Sequence, residues 1–64
     1  MIVNGEKMSF NQDITVKDLI LNLNLKPQTI VVEVNLNIIP KDQYESTIIH
    51  ENDKVEIINF VGGG

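Results

Sequence analysis

Hydrophobic and polar positions change their period along the chain, and each change marks an element. Met1 to Asn4 is short and β-prone, and Asn4-Gly5 follows it. That pair suits a two-residue type I′ turn, whose two central positions both need positive φ. Lys7-Met8-Ser9-Phe10-Asn11 then alternates, with Met8 and Phe10 on one face, so Met1–Gln12 reads as a β-hairpin. From Thr15 the period lengthens. Val16, Leu19, Ile20 and Leu23 fall at i, i+3, i+4 and i+7, one stripe of a helix. Thr15 and Asp18 form a near capping box at its start, with Asp in place of the usual Glu. The stripe ends at Asn24, and Pro27 blocks continuation. A helix of roughly two and a half turns is too short to stand alone and must dock on a sheet.

The second half reads as strands. Ile30-Val31-Val32-Glu33-Val34 is dense in β-branched residues. Asn35-Leu36-Asn37 reads as a turn, and Ile38-Ile39 as a short strand stopped by Pro40. Lys41–Ser46 is polar apart from Tyr44 and suits a loop or one helical turn. Thr47-Ile48-Ile49 is a further extended piece, Glu51-Asn52-Asp53 a turn, and Lys54 to Val61 the last strand. One helix between two groups of strands predicts an α+β roll, with the helix covering one face of a mixed sheet. The expected core is Val3, Phe10, Val16, Leu19, Ile20, Leu23, Val32, Val34, Val55 and Ile57. Tyr44 is expected as a lid over its edge, with the hydroxyl at the surface.

Composition narrows the function. With 64 residues the chain is one small domain with little room for a deep cleft. It has no cysteine and one histidine, His50, so a thiolate nucleophile, a disulfide framework or a Cys/His zinc site is excluded. His50 reads as a surface residue before a turn. Five basic residues, all lysine, stand against nine acidic ones, for a net charge of −4. That balance disfavours nucleic acid and anionic membranes and suits docking on a basic protein surface. Glu33, Asp42, Glu45, Glu51, Asp53 and Glu56 read as a solvated rim, and nothing in their spacing singles out an acid–base or metal pair. There is no signal-peptide pattern and no apolar run near the ~20 residues of a membrane span, so the expectation is a cytoplasmic protein, monomeric when isolated.

Three of the four glycines follow Phe60-Val61 as Gly62-Gly63-Gly64. A glycine run at a chain end is commonly only a frayed terminus. Here a hydrophobic strand leads straight into it. Such a tail is thin and unbranched, and can thread a channel closed to side chains and carry its α-carboxylate into a partner's active site. In the last strand Val55, Ile57, Asn59 and Val61 alternate with Glu56, Ile58 and Phe60. With the first set inward, Ile58 and Phe60 form an exposed apolar patch at the tail's base.

Ile2-Val3-Asn4-Gly5, the helix entry Thr15-Val16-Lys17-Asp18-Leu19-Ile20, the central Val34-Asn35-Leu36-Asn37-Ile38-Ile39-Pro40 and the closing Asn52-Asp53-Lys54-Val55-Glu56-Ile57-Ile58-Asn59-Phe60-Val61-Gly62-Gly63-Gly64 together resemble the ThiS family. These are ubiquitin-like sulfur carriers of thiamine thiazole biosynthesis. The likeness runs the length of the chain. It implies a β-grasp fold, a four- to five-stranded mixed sheet on one helix, over residues 1–61, with 62–64 as a flexible tail. It also implies a chemistry. A ThiF-like adenylyltransferase uses ATP and Mg to activate the Gly64 carboxylate, a sulfur-donor protein converts it to a thiocarboxylate, and a ThiG-like thiazole synthase takes the sulfur. Gly62 and Gly63 thread the partner's active site, and Ile58, Phe60 and Val61 dock on it. The carrier needs no catalytic residue, metal or cofactor of its own. A carrier for molybdopterin or another sulfur pathway, and a ubiquitin-like interaction module without this chemistry, remain the alternatives.

Overall fold

The computed structural model describes residues 1–60; Val61, Gly62, Gly63 and Gly64 lie outside the described residues. The elements in order are β1 (Ile2–Val3), β2 (Glu6–Lys7), β3 (Ile14–Thr15), α1 (Val16–Asn22), β4 (Ile30–Val34), β5 (Asn37–Ile39), β6 (Ile48–Ile49) and β7 (Lys54–Asn59). Short 3₁₀ turns span Pro27–Thr29 and Lys41–Gln43. Five strands form one mixed sheet in the order β2-β1-β7-β4-β5, while β3 and β6 pair in a separate two-stranded ladder. Among the described residues only β1 and β7 run parallel, and they are neighbours in the sheet. The others are antiparallel.

Local chemistry explains the ends of the elements. Asn4 and Gly5 take φ of +49° and +83°, as a type I′ turn requires. Val3 is opposite Glu6 across it. The second strand of this hairpin is shorter than the alternation suggested. It ends at Lys7, because after one more exchange between Met1 and Met8 the chain leaves the sheet edge toward the helix. Met8 and Phe10 still pack against the core from that crossing. The capping box is complete: Thr15 Oγ1 accepts the Asp18 N–H at 3.1 Å, and Asp18 Oδ2 accepts the Thr15 N–H at 3.1 Å. At the other end Asn24 sits at φ +57°. Leu25 N–H donates to the Ile20 carbonyl and Asn24 N–H to that of Leu21, a Schellman motif with Asn replacing Gly.

The core lies between α1 and one face of the sheet. Val16, Leu19 and Ile20 of the helix join Val3, Ile30, Val32, Val34, Tyr44, Ile49 and Val55 in one buried cluster. Phe10, Leu23 and Ile57, expected inside, are half-buried and pack against it. Ile30, Tyr44 and Ile49 complete it. Ile30 continues the inward parity of Val32 and Val34. Ile49 is brought in by the β3–β6 pairing, where it faces Ile14. Tyr44 follows the second 3₁₀ turn and belongs to the core, 5% exposed, and burial raises its phenol pKa. Its backbone carbonyl accepts the Lys17 N–H at 3.0 Å. Among the described residues no helix is long and apolar enough to cross a membrane.

Candidate functional site

The site is built on β7, the strand that leads to the glycine run. β7 is the longest strand and lies between β1 and β4. Its start is fixed by a side-chain network. Asp53 Oδ2 accepts the His50 N–H at 2.7 Å, and Asp53 Oδ1 accepts from Asn35 Nδ2 at 2.9 Å. Asn35 Oδ1 in turn accepts the Lys54 N–H at 3.0 Å. These bonds favour the carboxylate, the His50 N–H most of all, and hold the Asp53 pKa below its ordinary value. The network ties the β4–β5 turn to the first residue of β7.

The register then decides what each face carries. Val32 pairs with Ile57 and Val34 with Val55, all toward the helix. Val31 pairs with Ile58 and Glu33 with Glu56, so these four lie on the opposite face. Ile38 lies opposite Glu33 on β5 and shares that face. Ile58 is 49% exposed and Phe60 56%, so two large apolar groups two residues apart face solvent where β7 gives way to the tail. The Phe60 N–H donates to the Thr29 carbonyl at 3.0 Å, which holds this end of the chain against β4. The Lys41 ammonium stands 6.0 Å from the Phe60 ring centroid, at the limit of a cation–π contact.

The structure thus brings Ile58 and Phe60 together on the outer face, as the alternation of the last strand required. Val61, Gly62, Gly63 and Gly64, the other expected site residues, lie outside the described residues. Sequence reasoning missed Val31, Ile38 and Lys41 as neighbours of the patch. The parity of Ile38 is readable only once β5 is in register with β4, and Lys41 carries no signal within its polar loop. Glu33 and Glu56, directly opposite each other, place two carboxylates beside the patch. A like-charged pair so placed disfavours the free fold and gives this face an acidic border.

The remaining polar groups are dispersed. His50 Nδ1 is 3.3 Å from Asp13 Oδ2, both well exposed. Lys17 and Glu45 form an exposed ion pair at 2.8 Å. Among the described residues no group of three or more His, Asp or Glu gathers as metal ligands do. A shallow cavity of about 270 Å³ lies at the opposite pole, lined by Met1, Met8, Phe10, Asp13, Ile49 and Glu51 among others.

Comparison with known proteins gives these features a family. The family model described as "ThiS family" matches residues 1–64. The sulfur carrier protein ThiS of Bacillus subtilis is 35% identical over 63 residues, covering 97% of this chain and 96% of that protein. A thiazole synthase of Paramagnetospirillum magneticum is 38% identical over 64 residues. The chain spans 20% of that protein's length, so the likeness concerns one segment of a larger enzyme. Among solved structures, the thiamine biosynthesis protein ThiS of Geobacter metallireducens superposes with a TM-score of 0.84 at 26% identity, over 98% of this chain and 96% of that one. The topology, the helix on one sheet face and the full-length match agree: the chain belongs to the ThiS family of β-grasp sulfur carriers.

Proposed function

We propose that this chain carries sulfur as a thiocarboxylate on Gly64 and delivers it for thiazole formation in thiamine biosynthesis. The observation that carries the reading is the match, across nearly the whole of both chains, to a protein named as a sulfur carrier. The exposed Ile58 and Phe60 at the base of the glycine run support it. The relatives named thiazole synthase, which contain a segment like this chain, favour a ThiG-like acceptor over another sulfur pathway.

The chemistry asks little of the carrier. An α-carboxylate of ordinary pKa near 3.5 is ionised at neutral pH and nucleophilic. In the proposed cycle a ThiF-like adenylyltransferase, holding Mg-ATP, directs a Gly64 carboxylate oxygen to the α-phosphorus. The bond to pyrophosphate breaks and an acyl-adenylate forms. A hydrosulfide ion released by a donor protein attacks the acyl carbon, the new C–S bond replaces the C–O bond to AMP, AMP leaves, and a thiocarboxylate remains. The thiazole synthase passes the sulfur to its substrate, the C–S bond breaks, and an oxygen from water or from that substrate's carbonyl restores the carboxylate. ATP and Mg belong to the activating enzyme. Gly62 and Gly63 pass through its narrow entry because they lack side chains. Ile58, Phe60 and Val61 seat the domain at the mouth, with Glu33 and Glu56 facing a basic rim on the partner.

The test is an extension of the chain beyond Gly64 by a short peptide. The extended protein is expected to unfold at the parent's temperature and to accept no sulfur from a ThiF-like enzyme, Mg-ATP and a sulfur source that load the parent. Loading of the extended protein at the parent's rate would overturn the reading.

A further inference from the structure

Asn4 reads from the sequence as a turn former, and the hairpin uses it as one. Its side chain does something else. β1 and β7 run parallel, and in such a ladder the N–H and C=O of every second residue point to the same neighbour. Asn4 N–H donates to the Val55 carbonyl at 2.9 Å. The next rung of a regular ladder would run from the Ile57 N–H to Asn4's own carbonyl. At φ +49° the chain has already turned into the hairpin. Asn4 Oδ1 takes the place of that carbonyl and accepts the Ile57 N–H at 2.7 Å, across 53 residues of sequence. The side-chain amide thereby carries the β1 side of the ladder one rung past the end of β1.

This rung lies beside the patch. Ile57 precedes Ile58, and Phe60 N–H is held from the other side by the Thr29 carbonyl at 3.0 Å. The final residues of β7 are therefore gripped along both edges, by Asn4 on one and by β4 on the other. The position of the chain from Ile57 to Phe60 depends on both. We infer that Asn4 is a positioning residue for the end of β7, acting through the Ile57 amide to hold Ile57 to Phe60 in the place from which the chain continues to Gly64. The inference rests on the sulfur-carrier reading. It assigns a role to a side chain that is neither the acceptor nor one of the docking residues of that reading.

Turn formation and positioning can be separated by substitution. Asn4→Gly keeps the positive φ without strain and removes the acceptor. Asn4→Asp keeps both, since Asp also tolerates this conformation and offers an oxygen at the same reach. The parent and both variants are loaded by a ThiF-like enzyme with Mg-ATP and a sulfur source, and kcat and KM are measured for the carrier as substrate. Amide exchange at Ile57 is followed in the free proteins. Asn4→Gly is expected to speed exchange at Ile57 and to lower kcat about three- to tenfold, the worth of one such hydrogen bond. KM, set by the patch, should hold within about twofold, and Asn4→Asp should restore kcat. An unchanged kcat in Asn4→Gly, a change confined to KM, or no rescue by Asn4→Asp would each overturn the assignment. Failure of the parent itself to load, with an enzyme active on its own carrier, would instead overturn the sulfur-carrier reading and the assignment with it.

Discussion

Asp53 holds the turn before β7 to the turn after β4, and its removal should be felt throughout the sheet. The substitution is Asp53→Ala. It deletes two acceptors, for His50 N–H at 2.7 Å and Asn35 Nδ2 at 2.9 Å. It also frees Asn35, whose Oδ1 receives the Lys54 N–H. A hydrogen bond to a charged group contributes about 1.5–3 kcal/mol, and partly exposed ones fall at the low end. Two bonds, lessened by solvent access, give a loss of about 2–3 kcal/mol. A chain of this size has a total stability of roughly 3–10 kcal/mol, and the loss corresponds to a fall in Tm of roughly 10–20 °C. The effect has a pH signature. The folded-state pKa of Asp53 is lowered, so its ionic contribution is fully present above the unfolded value of about 3.9 and is lost as pH falls through the lower folded value. Urea unfolding of parent and variant should show the full gap from pH 7 down to about pH 5 and a narrowing gap below about pH 4. The gap should not close, because a protonated carboxyl still accepts a hydrogen bond. A loss under about 0.5 kcal/mol at pH 7, or a gap that widens on acidification, would refute this role for Asp53.

Two further expectations follow from the helix and the patch. Phe60→Glu removes a ring that is already 56% exposed, so stability should fall by only about 1 kcal/mol, while roughly 100 Å² of apolar surface is lost to a partner. Affinity for a ThiF-like enzyme, read by calorimetry, should weaken roughly 50- to 100-fold, and equal binding by variant and parent would remove the patch. Thr15→Ala breaks one arm of the capping box at 3.1 Å and should cost about 1 kcal/mol, or roughly 4–8 °C in Tm by circular dichroism; an unchanged Tm would show that tertiary packing alone fixes the helix start.

What could be read from the sequence was whatever local chemistry decides. Asn4-Gly5 specified its own turn, Thr15 and Asp18 their cap, and the spacing of Val16, Leu19 and Ile20 their burial. The outward parity of Ile58 and Phe60 followed from strand alternation once Val55 was placed inside. What escaped depends on partners distant in the chain. β3 and β6 are two residues each and exist only because Ile14 meets Ile49 and Thr15 meets Ile48. Tyr44 sits in a polar stretch of sequence, and its burial depends on the helix and strands of the distant core cluster it joins. The asparagines show the limit most clearly. Asn4 and Asn35 read as turn residues, and both are, yet their side chains also fasten β7 at Ile57 and Lys54. No local pattern announces an acceptor whose donor lies at the other end of the chain.

The sulfur-carrier reading stands or falls on the chemistry of Gly64. The most direct measurement is the intact mass and the C-terminal peptide mass after incubation with a ThiF-like enzyme, Mg-ATP and a sulfur source. The peptide is needed because oxidation of Met1 or Met8 adds an oxygen, which in the intact mass nearly equals the exchange of oxygen for sulfur. An adenylate or thiocarboxylate located on Gly64 is the expected result. An unmodified Gly64, with an enzyme demonstrably active on its own carrier, would contradict it.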